Sequence, residues 1–182
     1  GDELVAGDPD RGVLRVRALA AAHSTRGGDQ HDGTALLYAV ADADSTLLYA
    51  TDTASLPHDS LAGPFDVVLL ELTFGDHTDH GSAHLDLPSF GREVARLRAD
   101  RRLAPDARVI AVHLSHHNPV DLAERLVGIG AEVLADGSTV LVGSGPSGPG
   151  RRLLVTGGAR SGKSRRAEAA VQGRPAVAYV AT

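Results

Sequence analysis

The sequence predicts an α/β chain in two unequal parts, and three observations carry this expectation. Strand-like and helix-like patterns alternate across residues 13–142, as in mixed layered folds. Residues 143–150 read Gly143-Ser144-Gly145-Pro146-Ser147-Gly148-Pro149-Gly150 and hold nothing that could pack a core, so they form a linker. Beyond it, a strand, a glycine-rich turn, a helix and a second strand begin a parallel sheet whose remainder is missing. The expected division is a partial domain over 1–142, a linker over 143–150 and a fragment of a second domain over 151–182.

Within the first part, Val13–Ala20 places Leu14, Val16 and Ala18 on one face and Arg15 and Arg17 on the other, a half-buried strand. Ala35–Val40 and Thr46–Ala50 are short apolar strands joined by a polar turn at Asp42–Ser45. Asp66–Leu72 is a buried strand. Phe90, Val94 and Leu97 recur at helical spacing after Pro88, which suits a first turn. Arg108–Leu114 is another strand. Asn118-Pro119 is expected to cap a helix bearing Leu122, Leu126 and Ile129 and closed by Gly130. Glu132–Ala135 and Thr139–Val142 suggest a hairpin around Asp136-Gly137. In the second part, Leu153–Thr156 and Val177–Ala181 are expected strands flanking a helix from Gly162 or Lys163 to Val171.

Composition narrows the chemistry. The 182 residues contain no cysteine, which excludes disulfides, thiolate metal sites and a cysteine nucleophile. Methionine is absent even at position 1, as expected of an internal piece of a longer protein. Aromatics are only 3%, which disfavours an aromatic nucleic-acid platform. No apolar run is long enough to span a bilayer and no signal peptide opens the chain, so a cytoplasmic protein is expected. The net charge of −5 divides into +6 over residues 151–182 and −11 over the rest. The single lysine, Lys163, stands against 17 arginines.

That lysine lies in Gly157-Gly158-Ala159-Arg160-Ser161-Gly162-Lys163-Ser164, which fits G-x-x-x-x-G-K-[ST] between an expected strand and helix. Glycines let successive N–H groups curl around phosphate oxygens, and the helix N-terminus adds a favourable dipole. Lys163 would reach the β/γ-phosphates and Ser164 would ligate Mg²⁺. The wider string from Leu153 to Ser164, with Ala167-Glu168 and Tyr179-Val180-Ala181-Thr182, resembles the opening of adenosylcobinamide kinase/adenosylcobinamide-phosphate guanylyltransferase. The resemblance implies a P-loop NTPase fold, of which this is the first β–P-loop–α–β unit. It implies GTP or ATP with Mg²⁺ phosphorylating adenosylcobinamide, followed by GMP transfer, on the path to cobalamin. It also implies a nucleotide contact at Thr182, while the family's guanylylated histidine would lie past the last residue.

Nine histidines invite a metal hypothesis, although a lone histidine is more often solvated or structurally satisfied. His23, Asp52 and His113 follow the ends of three expected strands and could converge on one rim. Imidazole nitrogens with a carboxylate suit Zn²⁺. The order His23, Asp52, Glu71-Leu72-Thr73-Phe74, His84, His113-Leu114-Ser115 resembles the later half of a metallo-β-lactamase-fold hydrolase, closest to the transfer-RNA 3′-processing nuclease and cyclic phosphodiesterase branch. The resemblance implies part of an αββα sandwich, with His23 and His113 as zinc ligands and Asp52 as the bridging carboxylate. It assigns His84 as the histidine that assists the leaving group or holds the phosphate. The family's His-x-His-x-Asp-His cluster is absent here and is expected upstream of residue 1.

The other histidines read as structural or solvated. His116 and His117 suit a solvated loop better than substrate or metal contacts, His77 and His80 resemble a metal cluster only superficially and fall in a loop after a strand, and His31 and His58 also fall in loops. Glu71, inside an apolar strand, reads equally as a residue orienting a ligand and as a strand-end residue near the rim. The leading expectation is a fusion of a metal-dependent hydrolase-like domain with the cobinamide enzyme, this piece alone being inactive. The alternatives are the hydrolase as the main activity, a metal-poor scaffold with a nucleotide-binding tail, and an unrelated kinase or ATPase. Expected partners are adenosylcobinamide and a nucleotide. Nucleic acid is disfavoured but left open for the first domain, and homo-oligomerisation is left open.

Overall fold

A computed structural model describes residues 3–8, 12–23, 35–140, 142 and 162–173. One seven-stranded sheet runs in chain order: β1 (Glu3–Asp8), β2 (Gly12–Ala20), β3 (Leu36–Ala41), β4 (Thr46–Ala50), β5 (Phe65–Glu71), β6 (Leu103–Val112) and β7 (Glu132–Val133). The first four strands pair antiparallel as a meander, and β4 to β7 pair in parallel. Parallel pairing needs crossovers: α1 (Leu87–Ala99) lies between β5 and β6, α2 (Leu122–Ile129) between β6 and β7, and residues 51–64, with one short 3₁₀ turn, join β4 to β5. A third helix, α3 (Lys163–Val171), lies beyond the sheet in sequence.

The apolar pattern explains the layering. In β5, Val68 and Leu70 point to the face where Phe90, Val94 and Leu97 of α1 and Leu122 and Leu126 of α2 are buried. Val67 and Leu69 alternate to the other face, where they pack with Leu47, Ile110 and Val140. β5 is therefore apolar on both sides, as expected of a central parallel strand. At its end stands Glu71, wholly buried.

Helix α1 starts at a capping box. Asp86 accepts from the Ser89 backbone N–H at 2.7 Å, and the Asp86 N–H donates to the Ser89 hydroxyl at 2.9 Å. Burial resists ionisation of Asp86, but hydrogen bonds from the Ser89 hydroxyl and backbone, with His80 nearby, outweigh it and hold its carboxyl below the usual range. Gly130, in the left-handed region at φ 73°, closes α2.

Four expectations need correction. β1 is a strand that the alternation test missed, because its Leu4 and Val5 are both largely exposed. Asn118 does not cap α2. Asp121 takes that position, and the Asn118 amide instead donates to the Leu72 carbonyl at 2.9 Å. The hairpin around Asp136-Gly137 is a turn only: Glu132–Val133 pairs parallel with β6, and 139–140 form no strand. His58 is not a loop bystander. It is buried in a short 3₁₀ turn (His58–Ser60), its Nε2 2.7 Å from Glu93 Oε2 on α1.

The expected linker at 143–150, the strands at 153–156 and 177–181, and His31 lie outside the described residues. Among the described residues there is a single sheet with two helices on one face, so of the expected four-layer sandwich the structure describes one helical layer and one sheet.

Candidate metal centre

Strand direction gathers the site. β2, β4, β5 and β6 all run the same way, since β2 and β4 are each antiparallel to β3 and the rest are parallel to β4. Their C-terminal ends share one rim, which carries His23 after β2, Asp52 after β4, Glu71 at the end of β5 and His113 after β6. His84 reaches the rim from the segment leading into α1. Asp52 at φ 54° and His113 at φ 55° both adopt the left-handed region, which is uncommon for residues other than glycine.

Glu71 organises this rim. Its Oε1 accepts from the Thr53 backbone N–H, next to Asp52. Its Oε2 accepts from the Thr73 hydroxyl at 2.7 Å and from the Leu85 N–H at 3.2 Å. The same Thr73 hydroxyl lies 3.2 Å from the His113 carbonyl. His84 Nδ1 lies 3.2 and 3.1 Å from the two carboxylate oxygens. A carboxylate only accepts, so Nδ1 carries the hydrogen of this contact, which leaves Nε2 to bind an ion when unprotonated or to donate when protonated. Thr53 adds a further tie: its hydroxyl accepts from the Ala22 N–H at 3.1 Å, beside His23, and donates to the Ser55 carbonyl at 2.6 Å. One buried carboxylate, with buried Thr53 and half-buried Thr73, thus connects the segments bearing His23, Asp52, His84 and His113.

The side chains meet above this network. Donor atoms of His23, Asp52 and His84 lie within 4.8 Å of one another, close enough to share an ion. The His23 and His84 rings meet edge to face at 5.0 Å. His113 stacks on His84 at 5.5 Å and sets its Nε2 3.3 Å from Asp52 Oδ1. Two imidazoles and a carboxylate, partly exposed, suit Zn²⁺ in chemistry, and the Glu71 grip on His84 is the kind of support that fixes a ligating imidazole.

The sequence assigns no role to Thr53 or Thr73, although Thr73 falls within the Glu71-Leu72-Thr73-Phe74 string. The one signal pointing to them is their placement beside Asp52 and Glu71 at strand ends. His80 is more than a solvated loop residue: its side chain is buried, 3.3 Å from Asp86 Oδ2, and stacks on Phe74 at 4.3 Å. His77, His116 and His117 are exposed as expected. Of the glycine-rich loop, Gly157, Gly158, Ala159, Arg160 and Ser161 lie outside the described residues, as does Thr182. Gly162 is the N-cap of α3 at φ 79°, Lys163 is its first residue and Ser164 is exposed in its first turn.

The fold is a mixed α/β domain whose rim gathers His23, Asp52, His84 and His113. A sequence model for the beta-lactamase superfamily domain matches residues 5–132, and the chain belongs to that family. Among solved structures, the chain is similar to a protein from Parabacteroides distasonis described as a metal-dependent hydrolase, at 18% identity and a TM-score of 0.42. That match covers 72% of this chain and 55% of the other, so this chain spans about half its length. No curated protein matches the chain. None of these comparisons supports the cobinamide kinase/guanylyltransferase expectation, and the family match stops short of residues 143–182. Among the described residues, no helix is long and apolar enough to cross a membrane.

Proposed function

We propose that residues 1–142 are part of a metallo-β-lactamase-fold hydrolase and that the β2/β4/β5/β6 rim is its metal centre. The observation that carries this reading is the convergence of His23, Asp52 and His84 within 4.8 Å, inside a chain whose family match spans residues 5–132. His23 and Asp52 would hold a zinc-type ion with a second imidazole as third donor. Such an ion supplies Lewis acidity to polarise an ester or phosphodiester. Glu71 and Thr53 hold the donor segments in register, so the donors are arranged before the ion arrives.

Two assignments of the third donor each rest on a specific observation. His84 lies within the donor group itself. Alternatively, His113, 3.3 Å from Asp52, completes the donors, and His84, clamped by Glu71 at Nδ1, carries a proton at Nε2 to the leaving oxygen. Elemental analysis of the zinc-loaded full protein separates them. His84→Ala loses metal under the first assignment. Under the second it keeps metal while phosphodiester cleavage slows, and His113→Ala loses metal instead. Full metal retention in Asp52→Ala would refute both.

A second activity is proposed for the tail. Residues 143–150 would be a linker and 151–182 the start of a nucleotide-binding kinase/guanylyltransferase domain, with Gly157–Ser164 gripping GTP or ATP and Mg²⁺, and adenosylcobinamide as phosphoryl acceptor. The onset of α3 at Lys163, after Gly162 in the left-handed region, supports a loop that opens a helix as phosphate binding requires. Lys163→Ala in the full protein should lose GTP binding, and retained binding would refute the loop's role.

A further inference from the structure

A half-open cavity of about 210 Å³ lies on the sheet face that carries α1 and α2, away from the candidate centre. Cross-strand register builds it. Arg17 of β2 stands beside Ala39 of β3, which stands beside Leu48 of β4, and Arg15, Ala41 and Thr46 form a parallel row. Neighbours in register share a face, and Leu48 belongs to the helix-side core, so both arginines look onto that face. Phe65 joins them because the register shift between Phe65 and Val67 turns it to the helix side, while Val67 packs on the other. Thr46 opens β4 and Asp52 follows its far end, so the cavity and the rim lie at opposite ends of that strand.

The lining is apolar except along one charged edge. Ala39, Ala41 and Phe65 present only carbon from their side chains. The Thr46 hydroxyl already donates to the Pro64 carbonyl at 2.6 Å, and the nearby Asp66 carboxylate accepts from the Thr46 N–H at 2.7 Å. Glu3 faces Arg17 in register, yet its carboxylate pairs with Arg15 at 3.0 Å. Two cations and one acid leave the edge with a single positive charge. Among the described residues, half-buried Arg17 has no hydrogen-bond or ion-pair partner. A guanidinium held against carbon-lined space is ordinarily balanced by an anion, and here the chain's own acids are committed elsewhere.

The charge calls for an anion and the carbon lining for an apolar body. A phosphate dianion would meet one uncompensated charge and leave most of its oxygens against carbon. A monocarboxylate instead matches the planar guanidinium fork with two parallel hydrogen bonds. The volume falls below the about 300–1,000 Å³ of typical ligand pockets, so the ligand is small. We propose that this cavity binds a small monocarboxylate with an apolar tail, its carboxylate on Arg17 and its tail against Ala39, Ala41 and Phe65. The site stands apart from the metal centre and does not depend on it.

Isothermal titration calorimetry of the full protein with hexanoate tests this. Binding is expected at millimolar concentration, with hexanol and inorganic phosphate both weaker. Arg17→Met keeps the apolar stem and removes the charge, and should weaken hexanoate binding about tenfold or more, the worth of a charge-assisted hydrogen bond. Ala41→Leu keeps the charge and fills the cavity, and should weaken binding as well. Arg92→Met, at an exposed position of α1, and His23→Ala/Asp52→Ala should both bind hexanoate as the wild type does. Failure of the full protein to bind hexanoate overturns the proposal. So does unchanged binding in a folded Arg17→Met variant, or in Ala41→Leu. Phosphate or hexanol binding as tight as hexanoate also overturns it, since the site would then select for charge alone or for carbon alone.

Discussion

Replacing Glu71 with alanine tests whether one carboxylate holds the rim together. The side chain is fully buried and accepts from two backbone N–H groups, a hydroxyl and an imidazole. Thr73 and His84 are partly exposed and can turn to water, but the N–H groups of Thr53 and Leu85 are fixed in the backbone of buried residues. Leaving a buried donor unsatisfied costs about 1–3 kcal/mol, so two donors imply about 2–6 kcal/mol. The excavated space adds to that cost. Against a typical total of about 5–15 kcal/mol, this is a large fraction. Glu71→Gln should cost less, because the amide oxygen still serves one side of the carboxylate position while its NH₂ leaves one donor unsatisfied, about 1–3 kcal/mol. Urea unfolding monitored by far-UV circular dichroism reads both variants, with the slope checked for constancy. A loss below about 1 kcal/mol in Glu71→Ala would refute the reasoning, since it falls short of even one stranded donor. Zinc affinity should fall in both variants, because the Thr53 and His84 ties loosen together.

Asp86→Ala should destabilise the fold by about 1 kcal/mol through loss of the α1 cap, measured by urea unfolding. The folded carboxyl lies below its ordinary value of 3.8, so its stabilising contribution is complete above that value and is lost as pH falls through the lower folded value. Asp86→Asn keeps an acceptor for the Ser89 N–H but cannot titrate, so its acid-unfolding curve below the ordinary carboxylate range should be shallower than that of the wild type. Identical curves would remove Asp86 from the acid response.

How much of this was readable in the sequence depended on whether a signal was local. β4 was expected over its observed span, and α1 and α2 were legible from apolar spacing, because burial on one face imposes a period that single residues reveal. The order of His23, Asp52, Glu71, His84 and His113 was legible as a family resemblance, and the structure brings these five residues to one rim. What was not legible is contact across sequence distance. Asn118 looked like a helix cap because Asn before Pro suits one, yet its amide satisfies the carbonyl of Leu72, 46 residues earlier. His58 looked solvated because nothing near it in sequence is charged except Asp59, whereas its partner Glu93 arrives from α1. Thr53 carries no motif, and its role exists only because β2 and β5 place Ala22 and Glu71 on either side of it. The turn at Asp136-Gly137 met the local requirement for a hairpin, but the pairing of β7 went to β6 instead, a choice made by the buried sheet rather than by the turn.

The central claim is that the rim binds metal, and the most direct measurement is anomalous diffraction at the zinc edge from crystals of the full protein grown with zinc. A peak within coordination distance of His23 and Asp52, with His84 or His113 as the third donor, is the predicted result. Ordered, zinc-exposed crystals in which no anomalous density falls between His23 and Asp52 would contradict it.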